Sequence, residues 1–498
     1  MATGPSFDVA VVGAGNAAFA AATAAQQKGA RVLVLECAPQ DECGGNSRFT
    51  AGAIRFAYDG VDDIRTLVPD LTDDEAANTD FGTYTQDQFF DDMFRVTQYR
   101  TDPDLTEVLV RNSLSTMKWM RGQGIRFQPI YGRQAFKIDG KFKFWGGLTL
   151  EAWGGGPGLV QAWTDIARRS GIEIWYRARA LELLSDGFAI NGVRVRLPDR
   201  IVDVEARAVV LAAGGFQANP EMRTRYLGPG WDIAKVRGSR YNTGDGIKMA
   251  IDIGAATAGN WSGCHAVGWD LNAPEFGDLA VGDNFQKHSY PFGIMLNARG
   301  DRFVDEGADF RNYTYAKYGR VILEQPGSFA WQVFDKKVLH LLRDEYRIRR
   351  VTKVSADTLE GLVAQLEGVD GQQALRTIQH YNDSITQDVA FNPNIKDGRR
   401  TVGLKVPKSH WANTISDPPF EAYAVTCGVT FTFGGVRIDR DAQVLSTDYE
   451  PIPGLCAAGE MVGGIFYHNY PGGTGLMNGA VFGRIAGESA ARHAIGNF

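Results

Sequence analysis

A chain of 498 residues exceeds what one hydrophobic core serves, so two or more domains are expected. Hydrophobic residues make up 44% and charged residues 22%, and a net charge of −6 without a basic block excludes nucleic acid and anionic membrane surfaces as partners. The five cysteines, odd in number and without a C-x-x-C pair, exclude a disulfide framework and an iron–sulfur site, and no metal is expected.

The chain opens on an apolar run, residues 9–12, as a strand buried on both faces would. Gly13-Ala14-Gly15-Asn16-Ala17-Ala18 follows at once and matches G-x-G-x-x-A. Residues 19–27 are Ala-rich and predict a helix, Gly29 ends it, and residues 31–35 predict a second strand closed by Glu36. Glu36 lies about 20 residues past the first glycine, where an acid meets ribose hydroxyls. Gly13 permits the tight turn, Gly15 lets the backbone approach a pyrophosphate, and the helix N-terminus offers free N–H groups to phosphates. No charged segment precedes a long apolar one at the N-terminus, and no run reaches about 18 apolar residues, so a cytoplasmic protein is expected.

Gly44-Gly45-Asn46-Ser47, with Gly52 soon after, presents amides and a hydroxyl to a phosphate or ring edge, or simply turns the chain. Acidic residues 59–83 look like a surface excursion. Residues 84–121 predict helices, with Phe89, Met93, Leu105 and Leu109 as core. A helix is expected over 159–170 after a glycine-rich loop. Residues 173–176, 181–184, 189–195 and 201–205 alternate like a small antiparallel unit. Residues 208–216 form a buried strand ending in Gly214-Gly215, whose glycines would clear a nucleotide. Thr243-Gly244-Asp245-Gly246 starts one more helix.

From about residue 258 to 411 the texture changes to aromatics, arginines, His265 and His288, with residues 359–380 helical and no nucleotide fingerprint. Residues 421–426 are then a strand, Phe433-Gly434-Gly435-Val436 a turn into another, and Gly454 to Glu460 a third. Asn469-Tyr470-Pro471-Gly472-Gly473-Thr474-Gly475 leads into a last helix from Leu476, whose dipole suits negative charge on a reduced ring.

These segments, in this order and over nearly the whole chain, resemble the fumarate reductase and succinate dehydrogenase flavoprotein superfamily. Within it, the Gly13 motif, Gly45-Asn46-Ser47, Arg302 to Glu306 with Arg311-Asn312-Tyr313, and Asn469 to Leu476 look most like tricarballylate dehydrogenase. The resemblance implies an α/β fold. A Rossmann-like FAD-binding domain of the glutathione-reductase type, residues 1–257 and 413–498, would carry an inserted α+β capping or substrate domain, residues 258–412. It implies FAD, held by Gly13, Gly15, Asn16, Ala17, Glu36, Gly45, Asn46, Ser47, Gly52, Ala213, Gly214, Asp245, Gly459, Glu460, Gly475 and Leu476. Membrane-bound members attach FAD through a histidine near Asn46; asparagine cannot, so FAD should be non-covalent.

Some departures tell against an efficient fumarate reductase. Soluble ones carry histidine where Phe431 precedes Thr432, arginine where Tyr470 stands, and a proton-donating arginine past an F-D pair, here Phe334-Asp335-Lys336-Lys337. Tyr470-Pro471-Gly472 also resembles ketosteroid dehydrogenases, whose tyrosine polarises a substrate carbonyl. Tyr470, Arg311, Arg302, His265, His468 and Thr432 are the candidate catalytic residues, the arginines as bidentate carboxylate holders. Packing, surface ion pairs or a plain surface histidine are their structural alternatives. The expected function is FAD-dependent dehydrogenation of a CH–CH bond beside a carboxylate or carbonyl, of the tricarballylate to cis-aconitate type. A ketosteroid-type or other enone-forming dehydrogenase, a fumarate-reductase-like ene reductase, a corrinoid-pathway flavoprotein and a non-catalytic flavin electron carrier stay open. The implied partners are a small carboxylate or carbonyl substrate and a membrane iron–sulfur or quinone-linked electron acceptor.

Overall fold

In the computed structural model, which describes residues 5–386 and 388–496, the opening apolar run is β1 (Ser6–Val12). α1 (Asn16–Gln27) follows, and β2 (Val32–Leu35) lies parallel to β1 with Val12 opposite Leu35. Residues 59–83 are not a bare surface excursion: the helix Val61–Leu67 inserts Ile64 and Leu67 into the core, and its acids Asp62 and Asp63 sit in the first turn. The expected helices over 84–121 are α2 (Gln86–Val96), started by a Thr85–Gln88 capping box, and α3 (Pro103–Gln123), capped by Asp102 with proline at its first position.

α4 (Gly155–Arg169) precedes β3 (Glu173–Trp175), β4 (Arg179–Ser185), β5 (Ile190–Arg196) and β6 (Ile201–Leu211). The strands expected at 201–205 and 208–216 are one. Residues 201–205 pair antiparallel with β5, and residues 205–211 pair parallel with β1, so β6 never loses its ladder. β3 leaves the antiparallel unit and pairs parallel with β2. α5 (Asp245–Asp252) then leads to β7 (Thr257–Asp270).

A second sheet gathers β7, β8 (Ile294–Leu296), β9 (Ala330–Phe334) and β10 (Lys353–Ala356), with α6 (Tyr315–Leu323) against β7. The helical stretch expected over 359–380 is two helices, Leu359–Val363 and α7 (Gly371–Asp383). β11 (Phe420–Val436) is one strand of 17 residues, where the sequence predicted two strands and a turn. Gly434 and Gly435 do not turn the chain: a Cβ on Gly434 would meet Trp261 at 2.6 Å, and one on Gly435 would overlap the Met461 carbonyl. They are glycine for close approach within a strand.

β12 (Gln443–Leu445) and β13 (Pro451–Ala457) complete the first sheet, in which β13 takes the edge of β6 that β5 leaves free. The order is β4-β5-β6-β1-β2-β3. α8 (Thr474–Ile495) closes the chain against α1. Gly483 and Gly487 of α8 lie on Ala17 and Ala21 so closely that any side chain would strike the α1 backbone. This explains why α1 is alanine-rich: it is buried between sheet and helix.

Among the described residues no helix is long and apolar enough to cross a membrane. The α/β fold expected from the sequence is the one observed, and its parallel strands β1, β2 and β6 end on one edge. That edge opens into the cavity described next.

Candidate active site

The Gly13 amide donates to the Leu35 carbonyl at 2.8 Å, and the Ala212 amide to the Val12 carbonyl at 2.9 Å. These bonds bring three strand ends together around Gly13, which sits at φ +110 where a Cβ would overlap the Ala212 carbonyl oxygen. Before them lies a cavity with about 1730 Å³ of empty space. Gly13, Gly15, Asn16, Ala17, Glu36, Gly45, Asn46, Ser47, Ala213, Gly214, Asp245, Gly459, Glu460, Gly475 and Leu476 all line it.

Their roles differ. Asn16 ties the region: its amide donates to Ser47 Oγ at 3.0 Å, its Nδ2 to the Leu476 carbonyl at 2.8 Å, and its Oδ1 accepts from Trp163 at 2.9 Å. The Asn46 amide is engaged by the Thr430 carbonyl and the Ser239 amide. Glu36 accepts from the Ala38 amide at 2.8 Å, and burial raises its pKa. Burial also pushes the Glu460 carboxyl up to about 7, against hydrogen bonds from the Thr432 and Gly215 amides. Asp245 is paired with Arg179.

Two helices, α1 and α8, open into the cavity with glycine at the N-cap, no side-chain cap and no acid in the first turn. Their free N–H groups and positive dipole ends suit phosphate and other anionic oxygens. With the glycine cradle and a buried acid at the end of β2, this donor set fits FAD.

Two assigned residues fall outside the wall. Gly52 stands behind it, between the lining residues Ala51 and Ala53, because its Cα packs on Gly155. Thr432 lies behind Phe431, its amide donating to Glu460 at 2.9 Å.

The far end of the cavity is polar and aromatic. Tyr470 Oη and Tyr315 Oη are 2.6 Å apart, Tyr470 buried and Tyr315 half-buried, and desolvation raises both phenol pKa values. The His265 ring stands 4.6 Å from the Tyr470 ring and 4.9 Å from that of Tyr315; His288 is 4.8 Å from Tyr315. Burial drives both imidazoles well below the usual histidine pKa, so they are neutral. Neither nitrogen of His265 has a partner among the described residues.

Arg311 extends Nη2 to the Arg133 carbonyl while its Nε has no partner among the described residues, and burial lowers its pKa. Arg133 and Arg237 share Asp283, at 2.8 Å and 2.6 Å. Arg133, Arg237, Asp283, His288 and Tyr315 line this end without a motif having pointed to them.

Arg302 and His468 are not there. Arg302 is held by Glu306 at 2.5 Å, four residues on, and by the carbonyls of Val406 and Pro407. His468 is exposed at φ +61 in the loop before Tyr470. Asp335 caps the short helix Lys336–Leu339, beside a separate aromatic cluster that holds Phe334 and Val338, and none of Asp335, Lys336 and Lys337 lines the cavity. Arg311 supplies the guanidinium instead.

A dinucleotide cradle joined to a chamber of arginine, imidazole and phenol groups defines a flavin-dependent oxidoreductase. The chain belongs to the FAD binding domain family, within the fumarate reductase and succinate dehydrogenase flavoprotein superfamily; the family model matches residues 8–476. A probable fumarate reductase of Shewanella frigidimarina is 30% identical over 99% of this chain and 77% of its own length. An NADH:fumarate oxidoreductase of Klebsiella pneumoniae is 29% identical, but this chain spans only 48% of it. A flavocytochrome c3 fumarate reductase solved in an open conformation superposes with a TM-score of 0.74 at 26% identity, over 99% of this chain and 79% of that one. A 3-ketosteroid delta1-dehydrogenase shares the fold, with a TM-score of 0.75 at 21% identity. FAD is therefore the cofactor of this enzyme.

Proposed function

We propose that this enzyme acts on a CH–CH or C=C bond next to a carboxylate of a small acid, and that reduction of the C=C bond is the direction its chamber favours. FAD, when bound, exchanges the two electrons and one hydrogen of that bond. The observation that carries the reading is Arg311: a buried guanidinium on the chamber wall with a partner-free Nε–H. A guanidinium so placed holds a carboxylate through charge-assisted hydrogen bonds in a site that excludes water.

The wall is rich in donors and poor in bases. Asp283 is held by two arginines, and both histidines are weakly basic. Tyr470 Oη, backed by Tyr315 Oη, donates to charge that develops beside the carboxylate. The group that gives the α-carbon its proton in reduction takes it back in dehydrogenation, and a wall whose phenols and guanidiniums are protonated at neutral pH starts in the form that reduction needs. Relatives named fumarate, vinyl phenol and urocanate reductase support the same direction. In this reading residues 258–412 cap the chamber, and residues 1–257 and 413–498 hold FAD without a covalent bond.

Dehydrogenation of a tricarboxylate of the tricarballylate type is the second reading. Tyr470-Pro471-Gly472 favours it, because a phenol in that place serves either direction. Electrons would then leave to a separate quinone-linked or iron–sulfur acceptor.

Anaerobic flavin spectroscopy tests both. Photoreduced enzyme mixed with fumarate, acrylate or cinnamate should regain its oxidised absorbance. Failure of all of them, with bleaching of oxidised enzyme by tricarballylate, would reverse the direction. Bleaching by a 3-ketosteroid alone would remove the carboxylate.

A further inference from the structure

Of the four arginines that line the cavity, Arg179 is paired with Asp245, and Arg133 and Arg237 share Asp283. Arg311 alone of the four touches no carboxylate among the described residues, so the chamber offers one place for a substrate carboxylate. Its charge acts on His288, whose ring stands 4.8 Å from that of Tyr315. From Tyr315 the wall steps to His265 at 4.9 Å, and from His265 to Phe431 at 5.5 Å. The charge that acts on His265 is that of Arg237, not Arg311.

The Phe431 end is of another kind. Phe433 and Phe466, both buried, back the Phe431 ring at 5.3 Å and 5.5 Å, and Tyr470 meets it edge-on at 5.3 Å. Phe431 itself is half-buried and lines the cavity, so an apolar surface faces the chamber. Gly475, at the start of α8, keeps the space before it open: a Cβ there would touch the Phe431 and Tyr470 rings at 3.7 Å and 3.8 Å. The cation felt here, Arg237, is already engaged, with Nε and Nη2 on Asp283 and Nη1 on Thr430 Oγ1. A carboxylate set against Phe431 would lose water and gain no free cation. An alkyl or aryl group would bury apolar surface on both sides of the contact.

We propose that Phe431 and Tyr470 determine specificity: the group across the reacting double bond from the Arg311-bound carboxylate is uncharged and apolar, alkyl or aryl. The enzyme then takes 2-enoates with a single carboxylate and discriminates against fumarate. The proposal rests on the reading of the chamber as a site for a bond beside a carboxylate, and it names the acids that fit.

Equilibrium titration tests it on oxidised, FAD-loaded enzyme, where an unsaturated acid binds without turnover. The probes are crotonate, cinnamate and fumarate, read by perturbation of the flavin spectrum and by calorimetry. Crotonate and cinnamate should each bind at least about tenfold more tightly than fumarate. Phe431→His puts an imidazole N–H at this end and should raise the affinity for fumarate relative to crotonate about tenfold. Phe431→Leu keeps the end apolar but removes the ring contact, so cinnamate should bind about fivefold more weakly and fumarate should not change. That variant decides the matter if Phe431→His does not hold FAD. Fumarate binding as tightly as crotonate or cinnamate, or affinity ratios that neither variant moves, would overturn the proposal. If fumarate binds best and reoxidises the reduced enzyme, the carboxylate reading stands and this proposal alone falls. If the expected order holds but none of the acids reoxidises the reduced enzyme, the specificity stands and the proposed reaction falls; if none of them binds, both fall.

Discussion

The two ends of the cavity are built by opposite means. The cradle around Gly13 is mostly backbone: strand ends, glycines at positive φ and uncapped helix N-termini, with the buried Glu36 and the half-buried Glu460 as its acids. The chamber around Arg311 is mostly side chain, with guanidinium, imidazole and phenol groups brought from separate stretches and buried with donors unpaired. Backbone recognition tolerates little substitution but needs few particular side chains. Side-chain recognition is more easily altered, which suits the part of an enzyme that selects its substrate.

Five substitutions sharpen this contrast. Gly13→Val should abolish stable FAD binding, since a side chain there strikes the Ala212 carbonyl and φ +110 disfavours it as well. The ratio of flavin to protein absorbance after purification reads this directly; an enzyme that stays fully yellow would remove the backbone from its leading role. Tyr470→Phe should keep FAD and slow the flavin half-reaction about 10²–10³-fold, as loss of one transition-state donor does. A stopped-flow rate within about threefold of the parent would make Tyr470 a packing aromatic. Tyr315→Phe should have a smaller effect if Tyr315 only supports its neighbour.

Glu460 and the chamber histidines should titrate in opposite senses. The folded protein holds the Glu460 proton up to about pH 7, whereas the unfolded chain releases it near 4.5, so this group favours the fold at low pH and loses that contribution as pH rises toward 7. His265 and His288 are neutral when folded, and the unfolded chain binds their protons below about 6.5, so they destabilise the fold on acidification. Glu460→Gln removes the first trend and should steepen the loss of stability between pH 7 and 5, by up to about 3 kcal/mol. Urea unfolding at pH 5, 6, 7 and 8 measures it; parallel curves for parent and variant would contradict the assignment. The smallest expected effect is that of Arg311→Lys, which keeps charge but loses the planar fork. It should weaken kcat/KM on the true substrate by about 1.5–3 kcal/mol, and equal values for the two proteins would remove Arg311 from carboxylate binding.

The cradle was largely legible because its signal is local. Gly13, Gly15 and Glu36 fall within one strand–helix–strand unit, and the glycine pairs mark later approaches of the chain. The chamber was legible only in part. Tyr470, His265 and Arg311 were found, but Arg133, Arg237, Asp283, His288 and Tyr315 lie on loops and elements that meet only in three dimensions. Arg302 looked like a second carboxylate holder, yet the turn after it brings Glu306 onto its guanidinium, a pairing that no helical or strand periodicity announces. Glycine pairs misled in the other direction. Gly434-Gly435 reads as a turn, and what distinguishes close approach from reversal is the neighbour, here Trp261 and the Met461 carbonyl.

That uninterrupted strand has a mechanical consequence. β11 and β7 lie side by side over most of their length, from Thr257 opposite Val436 to Asp270 opposite Val425. The outgoing and returning crossings between the two sheets are thus laced into one ribbon. A two-stranded ribbon bends across its face and resists shear within its plane. Phe431 and Thr430, on the chamber wall, thus ride on the strap that ties the two sheets together, so a change in its pairing reaches the chamber directly.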